Sequence, residues 1–155
     1  MNAPGVLCDH RLLHYGAMTF YHFTSEEALH GIESHGLILP TESNVGSVSE
    51  NMPPMGEGLG PDVVWLIDSP DRPANNRNKI NHGLFGTLGD KTAVRIEVEV
   101  PAIRWYDWAP AQQMNPTWKE LLITASGGPA ASDHWYVFPA PIPRSRWVRV
   151  ERLDA

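Results

Sequence analysis

A chain of 155 residues has room for one domain, and at that size it buries enough surface to hold a core without disulfides or metals. With 42% hydrophobic and 19% charged residues it is not a disordered chain, and no apolar run approaches the ~20 residues that span a bilayer. Twelve basic against eighteen acidic side chains give a net charge of -6, which argues against sequence-independent binding to a phosphate backbone but leaves room for a locally basic site.

Cys8 is the single cysteine, so no intrachain disulfide forms. No basic-then-apolar segment at the N-terminus reads as a signal peptide, and the expected compartment is a reducing cytoplasm, with no membrane partner. Six tryptophans and fourteen prolines point to short strands and loops with large flat side chains between them.

Residues 1–17 carry no sustained period and read as a flexible extension. His10 and His14 stand four apart, as metal ligands on a helix do, but no further ligand accompanies them and a solvated tail is the simpler reading. The domain is expected to begin at Met18, from which Thr19 to Phe23 form a strand.

Thr24, followed three residues later by Glu27, has the spacing of a capping box for a helix carrying Ala28, Leu29 and Ile32 on one side. His35 and Gly36 end that helix, and Leu37 to Leu39 make a short strand closed by Pro40, giving a βαβ-like opening. Residues 41–61 are too long and polar for an ordinary connection and read as a lid or a functional loop.

Val63 to Ile67 is a continuous apolar run, as in a strand buried on both faces, and a second polar loop follows from Arg72 to Asn81. From Thr92 to Val100 the chain alternates, with Val94, Ile96, Val98 and Val100 facing one way and Arg95, Glu97 and Glu99 the other. Trp105, Tyr106 and Trp108 read as an aromatic corner on the sheet. Base stacking would need a basic groove, and only Arg104 is near.

A helix is expected after Asn115, with Pro116 in its first turn and Trp118, Leu121 and Leu122 at helical spacing, ending at Gly127 and Gly128. The last strands run from His134 to Phe138 and from Trp147 to Glu151, joined by the proline-rich 139–143. The expectation is a single α+β domain over 18–155, with six or seven short strands and two or three helices.

The chain has no Gly-x-Gly-x-x-Gly, phosphate-loop lysine, Gly-x-Ser-x-Gly elbow, His-Glu-x-x-His or paired cysteines. Cys8 lies in the presumed tail, which removes a cysteine nucleophile.

Four segments remain, in order: Tyr21-His22-Phe23-Thr24, the leucine–glycine helix, the Val63 to Ile67 strand, and the ending from Trp135 to Pro143. Together, over about residues 18 to 151, they resemble the ADP-ribosyltransferase fold with its split sheet. The closest flavour is that of small bacterial and phage members, including DNA-targeting ADP-ribosyltransferase toxins and, more distantly, tRNA 2'-phosphotransferase.

The resemblance implies NAD as substrate with no metal. It implies His22 and Thr24 gripping ribose and amide, with Phe23 between them, and Trp65 to Ser69 walling the nicotinamide. Arg72 and Arg77 would pair with the pyrophosphate, and Tyr136 would border the site. Each residue also has a plain reading: His22 as a half-buried histidine, Thr24 as a helix cap, Trp65 as core, Arg72 as a solvated loop charge.

The sequence departs from the resemblance at the glutamate that stabilises the oxocarbenium-like centre, because the matching position is Trp135, and an indole offers a quadrupole rather than a full charge. Three outcomes stay open. Asp133 replaces the carboxylate, His134 acts as an acid or base, or the site binds a nucleotide-like ligand without transfer. The expected activity is transfer of ADP-ribose to a protein or nucleic-acid acceptor, or cleavage of NAD. The alternative is a catalytically inactive nucleotide-binding or partner-binding module, a sponge or inhibitor on the same fold.

Overall fold

A computed structural model describes residues 18–40, 61–73, 92–125 and 127–153. The extension at 1–17 with Cys8, His10 and His14, the loop at 41–60 and most of the second loop, with Arg77, lie outside the described residues.

The fold is α+β. In chain order it comprises β1 (Met18–Thr24), α1 (Glu26–His35), β2 (Leu37–Ile38), β3 (Val64–Ile67), β4 (Val94–Val100), β5 (Ile103–Arg104) and α2 (Trp105–Trp108). After a 3-10 turn come α3 (Pro116–Ala125), α4 (Pro129–Ser132), β6 (Trp135–Phe138), β7 (Ile142–Pro143) and β8 (Trp147–Arg152). Six strands form one sheet in the order β5-β6-β3-β1-β4-β8, every neighbouring pair antiparallel.

Strand alternation sorts the apolar residues onto the two faces of this sheet. On the first face Phe20, Val64, Leu66, Val94, Ile96, Val98 and Val100 pack with Leu29 of α1, Ile38 of β2 and Ile142 of β7. Full burial of a side chain such as Ile96 contributes about 1.5–3 kcal/mol to this core. On the second face Val63, Trp135 and Val137 pack with Trp105, Trp108, Ala109 and Leu122, with Trp65 and Ile67 half-buried against them. The Val63 to Ile67 run is therefore continuous because both of its sides meet a core.

The cap of α1 sits one residue later than the spacing suggested. Thr24 is still paired with Val94 in the ladder, and Ser25 accepts the Ala28 backbone N–H on its hydroxyl at 3.1 Å. Gly36 closes the helix with φ +69° and its N–H on the Ile32 carbonyl at 2.8 Å, a left-handed turn that glycine enters without strain. Arg144 donates to the Glu33 carbonyl and its backbone N–H to the Gly36 carbonyl, so a cation covers the negative end of α1.

The βαβ-like opening does not place its two strands in one sheet. Leu37–Ile38 pairs instead with Ile142–Pro143 in a separate two-stranded sheet. Among the described residues no helix is long and apolar enough to cross a membrane.

Candidate functional site

The centre of the large sheet is where the sequence-selected residues gather. β1 and β3 share one register pair, Tyr21↔Ile67, and β3 continues the row to Trp135 of β6. Beyond that pair the ladder between β1 and β3 stops, and a side chain takes over: Nδ1 of His22 donates to the carbonyl oxygen of Trp65 at 2.9 Å. A carbonyl only accepts, so Nδ1 carries the proton and the neutral ring keeps its Nε2 lone pair free to accept. Burial holds the His22 pKa below the ordinary 6.5, the bond to Trp65 opposing part of that fall, so the ring is neutral at pH 7.

Phe23 lies half-buried on the opposite side of β1 from His22, while Thr24 is buried on the same side. Trp65 and Trp135 share the second face. Their rings meet edge-on at 5.8 Å between centroids, and each packs on Trp105, at 6.5 Å and 5.1 Å. Tyr136 lies on the first face, its ring 4.6 Å from that of Phe20. The pleat thus puts His22, Thr24 and Tyr136 on one side of the sheet and Phe23, Trp65 and Trp135 on the other. The indole of Trp65 and the imidazole of His22 are joined through Trp65's backbone.

Ser69 accepts the Asp71 backbone N–H at 3.2 Å and shapes the loop leaving β3. Arg95 of β4 donates to the Pro70 carbonyl at 2.6 Å and pairs with Glu151 at 2.9 Å, tying that loop to the sheet. In the same loop one terminal guanidinium nitrogen of Arg72 is buried without a hydrogen-bond partner among the described residues. An orphaned cationic donor of this kind is costly unless an acceptor arrives, and a phosphate oxygen is a fitting one.

Asp133 stands in helical conformation at the C-terminal end of α4, before β6 begins, and pairs with Arg104 at 3.6 Å. His134 comes next, and the structure brings it onto a residue that the sequence singles out for no catalytic role. Its Nδ1 lies 2.7 Å from Oδ1 of Asp68, at the end of β3. Asp68 directly follows the apolar run from Val63 to Ile67, inside the stretch from Trp65 to Ser69, and nothing within the chain's local pattern signals a partner 66 residues away. Among the described residues no group of three or more His, Cys, Asp or Glu side chains is placed to hold a metal ion.

Comparison with family models, with curated proteins and with solved structures returns no match to this chain.

Proposed function

We propose that the chain binds NAD at the β1–β3 split and transfers ADP-ribose from it to a macromolecular acceptor, protein or nucleic acid, or to water. The observation that carries this reading is the His22–Trp65 hydrogen bond. It fixes a neutral imidazole at the one place where the central strands separate, with Nε2 left to accept from a ribose hydroxyl. The orphaned guanidinium nitrogen of Arg72 supports it, because a dinucleotide brings the pyrophosphate oxygens that such a donor lacks. Thr24, buried two residues along from His22, supplies a hydroxyl on the same side of the strand.

A second reading is favoured by Trp135. Where the resemblance calls for a carboxylate, an indole is 8% exposed and locked among other tryptophans, which suits a nucleotide-binding module without transfer. Proton NMR of NAD with the purified protein separates the two. Broadened NAD signals with growing free nicotinamide fit the transferase, and broadening alone fits the binding module. Sharp, unchanged signals overturn both. His22→Asn keeps a donor for the Trp65 carbonyl but loses Nε2, and is expected to weaken NAD binding about tenfold, the loss of one hydrogen bond of roughly 1.4 kcal/mol.

A further inference from the structure

We infer that Asp68 and His134 form a general-base dyad, and that the acceptor it serves bears a hydroxyl group. This inference rests on the NAD reading of the split and names the acceptor chemistry of that site.

Three observations support the dyad. First, the pair lies at the ends of two neighbouring strands in the middle of the sheet, β3 and β6. The Asp68 backbone N–H bonds the His134 carbonyl at 3.3 Å, extending the β3–β6 ladder one row past Ile67↔Trp135. That row and the row of His22 flank the single row shared by β1 and β3. Strand spacing and rise put the backbones of His22 and His134 roughly 12 Å apart, within the span of a bound dinucleotide.

Second, an ionised carboxylate only accepts, so the 2.7 Å contact fixes the proton on Nδ1 of His134 and leaves the Nε2 lone pair as the base. The carboxylate also stabilises the imidazolium that forms when Nε2 takes a proton, the relation found wherever a carboxylate orients a catalytic histidine.

Third, the pair is open to a partner. The side chains of His134 and Asp68 are 55% and 36% exposed, unlike the indole of Trp135 beside them. Asp133, the residue before His134, is engaged by Arg104, and Asp68 is the acid that orients this histidine.

The chemistry balances without any further reactant. The acceptor O–H gives its proton to Nε2 of His134 as its oxygen forms a bond to C1' of the nicotinamide ribose. The C1'–N bond breaks, and its electron pair returns to the pyridinium nitrogen, releasing neutral nicotinamide. A carboxylate acceptor already carries its charge and needs no base. A hydroxyl does, and the Nε2 lone pair of His134 is placed to take its proton. His134 is the catalytic base, and Asp68 is a positioning residue.

The test uses the full chain, NAD, and water as the simplest hydroxyl acceptor, with nicotinamide release followed by NMR and NAD binding read from line broadening. His134→Ala is expected to lose ~100-fold in release, the lower bound for general-base catalysis, with NAD binding unchanged. Free imidazole should restore part of that rate in His134→Ala, which a merely structural histidine would not allow. Asp68→Asn is expected to lose ~10-fold with the same binding. Wild-type release with His134→Ala overturns the dyad and leaves the NAD reading standing. NAD bound but not cleaved by the wild type overturns the dyad and leaves only the binding module. No NAD binding by the wild type overturns the reading and the dyad together.

Discussion

Nδ1 of His22 and the carbonyl oxygen of Trp65 meet at 2.9 Å where β1 and β3 cease to share register, so a side chain closes a gap that backbone groups leave open. His22→Ala exposes that carbonyl to burial without a donor and is expected to cost about 1–3 kcal/mol, whereas His22→Asn, with an amide N–H near the Nδ1 position, is expected to cost less than half as much. Urea denaturation of the two variants at neutral pH checks the order. Equal losses would show that the bond contributes nothing to the split.

The same ring sets a pH dependence. Because its folded-state pKa is depressed, the unfolded chain takes up a proton below about 6.5 that the folded ring refuses. The contribution of His22 is thus complete above that pH and is lost as pH falls toward the folded value. The urea midpoint of wild type should fall more between about pH 7.5 and about pH 5 than that of His22→Asn, and parallel curves would contradict the assignment.

At the start of α1, Ser25→Ala is expected to cost about 1 kcal/mol, because the Ala28 N–H loses the hydroxyl oxygen that caps it. Glu27→Gln should change stability by less than half of that, since the first-turn carboxylate acts only through the helix dipole. Thermal melts of both variants distinguish a cap at Ser25 from a capping box begun at Thr24.

Gly36→Ala tests the other end of the helix. An added Cβ would meet Arg144 Nε at 4.0 Å, so space is adequate, and the cost comes from φ +69° instead. A loss of about 1–2 kcal/mol is expected in chemical denaturation, and a neutral result would mean the turn relaxes to another conformation.

The periodic parts of this fold are plain in the sequence for a physical reason: Val94 to Val100 alternates because one side meets the core and the other meets water. Val63 to Ile67 does not alternate because cores lie on both sides, and Gly36 marks a helix end that only a left-handed residue can make. What local pattern cannot carry is partnership. Thr24 and Ser25 are adjacent hydroxyls, and the choice between them depends on how far β1 stays paired with Val94. Leu37–Ile38 reads as a strand, but its partner Ile142–Pro143 is a property of the closed chain. The candidate site shows the same division. His22 and Arg72 stand out by residue type, while Asp68 becomes meaningful only through His134. Trp135, which directly follows His134 in sequence, and Trp65 of the strand that ends before Asp68 are carried to the opposite face by the pleat.

The close packing of Trp65, Trp105 and Trp135, with ring centroids 5.1 to 6.5 Å apart, has an optical consequence. Indoles this near share their excited states, so light absorbed by one is emitted by whichever of the three lies lowest in energy, and their transitions couple into a strong near-ultraviolet circular dichroism band. The coupled part of that band reports the second face of the sheet, because the first core, against which Trp147 packs, holds none of these three rings. A chain whose tryptophan face loosens before its aliphatic face would lose the signal while keeping its far-ultraviolet spectrum, which makes the native protein its own two-channel probe of how its two cores come apart.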